Sequence, residues 1–201
     1  MLRYQRFAPK EYFGCNTYLL SSGSSSCVID ASVPLGEILP QARRPIAFVL
    51  LTHGHFDHIC ALSSYAEAGI PVMICAQDLP QLTDPYANAS LLFYGKGIVS
   101  PCGAAPLADG QVLRFGEDPI RVSLTPGHTP GSACFQTGGL LLTGDTLFSG
   151  GGYGRCDLPG GNVSEMRESL ERLRALPPDL RILPGHGEED LLASSLSRLL
   201  L

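Results

Sequence analysis

The 201-residue sequence predicts an α+β fold, with strands and helices mixed within one domain that covers residues 1–201. Two patterns support this prediction: short apolar, β-branched runs bounded by glycine or proline, and segments with helical spacing between them. The composition is the third observation. With 44% hydrophobic and 16% charged residues, the chain can bury a large core, and intrinsic disorder is excluded.

Seven apolar runs are predicted to be strands, because each is too short for a helix. In chain order they cover residues 16–20, 27–30, 46–51, 72–74, 120–124, 140–142 and 181–183. A serine-rich segment, residues 21–26, separates the first two runs and is predicted to be a hairpin turn. Because strands occur both in hairpins and between helices, more than one sheet is expected.

Helices are predicted over residues 58–68, 163–176 and 188–200, while residues 84–94 predict a short helix or an ordered loop. The pattern is clearest in the second segment, where apolar residues recur at spacings of three and four from Val163 to Leu176. Asn162 can cap the N-terminus of this helix, and Pro177 is expected to stop it.

The charge pattern excludes several function classes. The net charge is −5 and the basic residues form no cluster, so nucleic acid is not an expected partner. No apolar run is long enough to span a membrane or to act as a signal peptide. Seven cysteines without an export signal indicate reduced thiols, so the predicted compartment is the cytoplasm.

The strongest motif lies directly after the strand predicted at residues 46–51. Residues 52–58 read Thr-His-Gly-His-Phe-Asp-His. On extended backbone, His53, His55 and Asp57 would share one face, whereas His58 would point elsewhere and serve a neighbouring centre. Imidazole and carboxylate ligands suit zinc, iron or manganese. A metal-free polar turn is a poor alternative, because so many clustered polar groups would each need a partner.

The two remaining histidines, His128 and His186, each follow a predicted strand and a Pro-Gly turn. Asp145 likewise comes just after a strand, in a Gly-Asp-Thr sequence that alone could be a simple turn. Together with the residues of the first motif, these three make seven candidate ligands. Seven ligands divide into two incomplete shells, which leave positions for water and substrate.

These motifs, in this order, resemble the metallo-β-lactamase superfamily, in its branch of glyoxalase II-like small hydrolases. The resemblance implies a four-layer αββα sandwich with two metal ions at one edge of its sheets. One ion would be held by His53, His55 and His128, and the other by Asp57, His58 and His186. Asp145 would bridge the two ions, and Asp30 would support the site from behind.

The branch is indicated by a later loop. Residues 154–159 read Gly-Arg-Cys-Asp-Leu-Pro, similar to a stretch that follows the bridging aspartate in glyoxalase II-like enzymes. Arg155, with Tyr153 in the same glycine-rich loop, is therefore predicted to contact the substrate. The sequence departs from full-length glyoxalase II in ending 15 residues after His186, without the helical region that holds glutathione.

The expected activity is hydrolysis of a thioester of the hydroxyacyl-glutathione (S-lactoylglutathione) type. The nucleophile would be a hydroxide between two divalent ions. Zinc is the expected metal, with iron or manganese as alternatives. Asp57 is the candidate catalytic residue, orienting that hydroxide. The net positive charge of the two-ion centre favours a small anionic thioester. Cys60, although close to His58, is not an expected ligand.

Three alternatives remain open at this point. A mono-iron persulfide dioxygenase would use His53, His128 and Asp145. A lactonase or other ester hydrolase of the same superfamily, including a β-lactamase, would keep both ions. A non-catalytic metal-binding module is disfavoured because structural zinc sites are closed. The sequence does not indicate an oligomeric state.

Overall fold

The computed structural model describes residues 1–8, 14–100 and 103–199, which contain two six-stranded sheets. The first sheet has its strands in chain order: β1 (Arg3–Phe7), β2 (Thr17–Ser22), β3 (Ser25–Ile29), β4 (Ile46–Leu50), β5 (Val72–Cys75) and β6 (Ala105–Leu107). The second is also sequential: β7 (Val112–Leu113), β8 (Ile120–Leu124), β9 (Ala133–Thr137), β10 (Leu140–Gly144), β11 (Arg181–Pro184) and β12 (Asp190–Leu191).

Both sheets are mixed, and each contains parallel strands that direct chain ends toward one edge. In the first sheet β1–β2 and β2–β3 are antiparallel, whereas β3, β4, β5 and β6 run parallel. In the second sheet the parallel pair is β10–β11, with Leu141 opposite Ile182, and the remaining pairs are antiparallel.

The alternation of side chains along the strands explains why the sheets stack. Ile29 of β3 and Leu142 of β10 point inward, into one core shared by both sheets. Their neighbours Val28 and Leu141 point outward, each into a separate cluster under helices. Because both faces of these strands are apolar, each sheet needs a second covering layer.

Helices supply the two outer layers. Over the first sheet lie α1 (Leu35–Ile38), α2 (Phe56–Ile59) and α3 (Leu62–Glu67). The short α4 (Ser90–Tyr94) follows β5, and α5 (Val163–Leu173) and α6 (Leu192–Ser197) cover the second sheet. The predicted four-layer αββα arrangement is therefore confirmed.

The helix boundaries differ from the predicted ones in three places. The helix predicted over residues 58–68 is divided into α2 and α3 at Cys60 and Ala61. The helix predicted over residues 188–200 begins as strand β12, because its backbone pairs with β11 before α6 starts. Leu200 lies outside the described residues, as does Cys102.

Helix α5 is capped by Asn162, whose side chain accepts hydrogen bonds from the amides of Ser164 and Glu165. The helix ends at Leu173, three residues before the predicted end at Leu176.

Five predicted site segments lie just beyond the ends of strands. Asp30 follows β3, the 52–58 motif follows β4, and Asp145 follows β10. His128 lies between β8 and β9, and His186 follows β11. Among the described residues, none of the helices combines the length and apolar composition that crossing a bilayer requires.

Candidate metal centre

The backbone of the 52–58 motif changes direction at His55. His55 has φ −65° and ψ 150°, which is extended, and helix α2 begins with Phe56. The prediction that His53, His55 and Asp57 would share one extended face is therefore correct only for the two histidines. The helical turn moves Asp57 toward His58 and His186 instead. One short segment consequently supplies two neighbouring groups of ligands.

The first group, called here the inner half of the site, comprises His53, His55 and His128. Their potential ligand atoms lie within 4.8 Å of one another, and His55 Nδ1 is 2.8 Å from His128 Nε2. All three side chains are buried. The inner half joins the two sheets, because His55 follows β4 and His128 follows β8.

The second group, the outer half, comprises Asp57, His58 and His186. His186 Nε2 lies 3.1 Å from Asp57 Oδ2, and His58 Nε2 lies 3.8 Å from the same oxygen. His58 is completely buried, but the His186 side chain is 38% exposed. Solvent therefore reaches the outer half through His186.

Asp145 lies between the two halves. Its Oδ2 is 3.5 Å from His128 Nε2 in the inner half, and its Oδ1 is 3.3 Å from His58 Nε2 in the outer half. His186 Nε2 is 3.6 Å from Oδ2. The Asp145 carboxylate thus lies close to ligand atoms of both halves, which is the arrangement that a bridging ligand needs.

Two hydrogen bonds fix the orientation of the histidine rings. Asp30 Oδ2 lies 2.9 Å from His58 Nδ1, and Asp30 Oδ1 accepts a bond from the Thr52 amide at 2.8 Å. His128 Nδ1 donates to the backbone carbonyl of Arg155 at 2.7 Å. Because each Nδ1 is engaged on the outside, the Nε2 atoms of His58 and His128 face the site.

The loop that carries His186 is held by residues that the sequence analysis did not single out. The Asn16 side-chain amide donates to the carbonyls of Pro184 and Gly187, at 3.0 and 2.9 Å, one on each side of His186. Tyr18 also donates to the Pro184 carbonyl, at 2.8 Å. Asn16 precedes β2 without any motif, so only its burial and its cross-sheet contacts in the structure reveal this role.

The donor atoms of the site fit a metal. Among the seven candidate ligands, four buried atoms have no hydrogen-bond partner: Nε2 of His53, His55 and His58, and Oδ1 of Asp145. The side chains of His53, His58 and Asp145 also form one group whose ligand atoms lie within 4.8 Å of one another. Leaving such atoms unpaired costs free energy, so this cluster indicates an electrophile that its members would share. Burial lowers the pKa of His55 to about 3 and that of His53 well below its usual value. Both rings are thus neutral at pH 7, the form that binds metal.

The other titratable groups are governed by their neighbours. Burial alone would lower the pKa of His186, but its hydrogen bond with Asp57 and the nearby Asp145 raise it. Burial would raise the pKa of Asp145, but His58 and the other histidines lower it, so the carboxylate is ionised. Cys60 does not belong to either half: its thiol contacts Ser32 and the Asp57 carbonyl, and burial raises its pKa.

A cavity of about 290 Å³ opens over the site. Polar ligand residues form its floor, and its walls are mainly apolar: Phe56, Ala89, Phe93, Phe148 and Leu158. Arg155 also lines the cavity, but its guanidinium donates two hydrogen bonds to Asp157, at 2.7 and 2.6 Å. Tyr153 packs against the cluster under α5 and α6 rather than lining the cavity.

Over most of its length, the chain is similar to a known protein family and to solved structures. A family model described as the metallo-beta-lactamase superfamily matches residues 11–186. The probable metallo-hydrolase YqgX of Bacillus subtilis (strain 168) is 36% identical over 186 residues, with 87% of this chain and 85% of the relative covered. Two similar solved structures are BLEG-1, a B3 metallo-β-lactamase (TM-score 0.87, 28% identity, 97% of each chain covered), and TTHA1623 in a di-iron-bound form (TM-score 0.83, 32% identity, 96% and 97%). The similarity therefore extends over nearly the whole length of both solved chains.

Proposed function

The chain belongs to the metallo-β-lactamase superfamily of metal-dependent hydrolases, and we propose that it hydrolyses a thioester with two divalent ions, on a substrate of the hydroxyacyl-glutathione type. One observation carries this proposal: seven side chains from four segments bring ring nitrogens and carboxylate oxygens close together, and four of these side chains have a buried atom without a hydrogen-bond partner. This centre forms the floor of an open cavity. A structural metal site would be closed, so the access to solvent favours catalysis.

The residues divide the work between them. His53, His55 and His128 would hold one ion, Asp57, His58 and His186 the other, and Asp145 would contact both. When bound, the ions would lower the pKa of water toward about 7 and polarise the acyl carbonyl. Asp57, which lines the cavity and contacts His186 at 3.1 Å, would accept a hydrogen bond from the attacking water and orient it. Asp30 keeps His58 Nε2 directed at the site.

The charges and the apolar walls of the cavity indicate the class of substrate. Two ions would bring a charge of +4 against −2 from Asp57 and Asp145, so the floor favours an anionic group. The substrate-binding role of Arg155 stays a prediction, and Arg155 would add to this preference if it exchanged Asp157 for a substrate carboxylate. Phe93 and Phe148 would contact the apolar part of the acyl group or of its thiol carrier. A contact between Tyr153 and substrate stays a prediction.

The test combines elemental analysis of the purified protein with rates for a substrate panel. We expect about two ions per chain and hydrolysis of S-lactoylglutathione or a related small thioester, faster than that of a β-lactam or a lactone. A metal-replete sample with one ion per chain would contradict the two-ion site. One iron per chain with oxygen uptake on a persulfide would establish the dioxygenase alternative.

The panel also separates the remaining predictions. Zinc is the proposed metal because histidine and aspartate ligands without thiolate suit it, although the di-iron form of TTHA1623 makes iron the first competitor. Faster turnover of a lactone than of every thioester would support the ester-hydrolase alternative. The cytoplasm stays the predicted compartment.

A further inference from the structure

The inner half of the site depends on two loops that come from different sheets. His55 and His128 are 73 residues apart in sequence, and their facing nitrogens are 2.8 Å apart. A shift of one loop against the other would change the separation of the ring nitrogens and so lower the affinity for a metal ion. A backbone hydrogen bond from the Ala133 amide to the Thr52 carbonyl joins the two segments at the strand ends. A second link between the two loops lies next to His55 and His128.

Asp78 supplies this link from a 3₁₀ helix, Ala76–Leu82, that follows β5. One carboxylate oxygen, Oδ2, accepts from the amide of Gly54, between His53 and His55, at 3.1 Å. The same oxygen accepts from the Thr129 hydroxyl, next to His128, at 2.6 Å. The other oxygen, Oδ1, accepts from the Gly131 amide at 2.7 Å. One side chain thus holds both histidine loops.

Asp78 is stabilised in the fold by these three hydrogen bonds rather than by an ion pair. The residue is completely buried, and no lysine or arginine within the described ranges forms an ion pair with it. A buried carboxylate is costly unless hydrogen bonds compensate it, and two backbone amides and one hydroxyl do so here. None of the residues around the cavity floor is Asp78, so it acts from behind the ligands.

The fit between Asp78 and the two loops is tight. A Cβ added at Gly131 would lie 2.6 Å from Asp78 Cγ, and one added at Gly54 would lie 3.2 Å from the Asp78 carbonyl oxygen and 2.6 Å from the Gln81 side chain. Neither loop could approach this closely with a larger residue. Gly54 and Gly131 therefore allow the close approach of the two histidine loops to Asp78.

We propose that Asp78 is a positioning residue for the inner half: by tying Gly54 to Thr129 and Gly131, it sets the spacing of His55 and His128 and thereby the affinity for the ion held there. Its effect is local, because Asp30 supports the outer half in a comparable way through His58. Each half thus has its own buried carboxylate behind it. This inference rests on the proposed two-ion site but not on the identity of the substrate.

The test uses zinc binding rather than turnover. Asp78→Asn places an amide N–H against one of the three donors while keeping the shape of the side chain. We expect the inner-half affinity for zinc to fall 10- to 100-fold, the range found for outer partners of metal ligands. The outer-half affinity should change less than about threefold. Isothermal titration and long-range ¹H–¹⁵N spectra of the histidine rings would show His55 and His128 losing metal first.

Two variants at Thr129 keep the test usable if Asp78→Asn does not fold. Thr129→Val removes one hydrogen-bond donor while Asp78 itself is unchanged, and it should give a smaller loss of zinc affinity at the inner half. Thr129→Ser keeps the hydroxyl and should bind zinc as the wild type does. Asp190→Asn is the matched control, because Asp190 also accepts from a backbone amide and a hydroxyl but contacts no histidine of the site. It should keep both affinities.

The outcomes discriminate clearly. Unchanged zinc affinity at both halves in Asp78→Asn would overturn the proposal, as would equal losses at both halves. Should Asp78→Asn fail to fold, unchanged inner-half binding in Thr129→Val would overturn it instead. If the wild type itself binds a single ion, the two-ion function fails first, and this result is distinguishable from any effect of Asp78.

Discussion

The inner and outer halves of the site differ in how far the fold prepares them. His53, His55 and His128 are buried, and burial keeps at least the first two neutral. In the outer half, His186 is partly exposed, and its carboxylate neighbours favour its protonated form. His53 and His55 are therefore ready for an ion at neutral pH, whereas His186 holds its proton more strongly and would have to release it when an ion binds.

Access does not divide the site in the same way. The cavity is lined by ligands of both halves, His55 and His128 of the inner half and Asp57 and His186 of the outer half, with Asp145 between them. Substrate in the cavity would therefore lie against both halves, and the halves differ in protonation rather than in access.

The largest expected difference is in proton affinity. In chelator-treated protein, the His55 ring should stay neutral down to pH 5, because burial lowers its pKa to about 3. His186 should be more than half protonated at pH 6.5, because Asp57 and Asp145 raise its pKa above the ordinary value. Histidine-ring NMR titration measures both. Acidification below pH 6.5 then destabilises the metal-free fold through His55, since only the unfolded chain takes up that proton. A His55 midpoint near 6.5 would contradict the contrast.

Removal of the bridge should uncouple the two halves. Asp145→Ala is expected to lower the rate of hydrolysis by more than about a hundredfold, because even partners outside the ligand shell affect activity by up to that factor. The fold should survive, because β10 ends before this residue. Steady-state kinetics with metal analysis measures the effect, and a melting curve of the apo-protein is the control. Near-normal hydrolysis with both ions bound would show that Asp145 is not a bridge.

A methyl group added at Gly185 would disturb His58 of the outer half and the bridging carboxylate. A Cβ at Gly185 would lie 2.3 Å from Asp145 Oδ1 and 2.7 Å from His58 Cε1. Gly185→Ala should therefore weaken zinc binding at the outer half about tenfold, a smaller effect than loss of a ligand. Gly36→Ala is the matched control, because no atom lies within 4 Å of its added Cβ. Equal zinc affinities in the two variants would mean that the Gly185 loop adapts.

Much of this architecture could be predicted from sequence, but the reasons differ between regions. The sequence predicts strand β8 with its observed bounds, because Pro119 and Pro126 lie just outside its ends and apolar residues alternate with polar ones between them. Helix α2 was not separated from α3, since nothing in the composition around Cys60 marks a break. The sequence motifs named the seven candidate ligands because histidine clusters are rare. Asp78 and Asn16 were missed, because a single polar residue carries no pattern and its role exists only in contacts between distant segments.

The last expected effect is on substrate binding rather than on the metal centre, and it concerns Arg155 at the mouth of the cavity. Its ion pair with Asp157 is exposed, so a substrate carboxylate could take the place of Asp157 at little cost. Arg155→Ala should raise KM for an anionic thioester about tenfold and change kcat less, because such a contact is similar in ground and transition states. The backbone carbonyl that accepts from His128 remains in this variant, so the site floor is preserved.

Two comparisons isolate the charge of Arg155 from its packing on Phe93, whose ring centroid lies 5.9 Å from the guanidinium carbon. Asp157→Ala frees the guanidinium and should lower KM for the anionic thioester or leave it unchanged. A neutral, ester-capped analogue should show the same KM with wild type and both variants, because it lacks the carboxylate. If Arg155→Ala instead raises KM equally for the charged and the neutral substrate, Arg155 contributes to the cavity as an apolar wall, and the ions and carboxylates of the floor alone select the charge of the substrate.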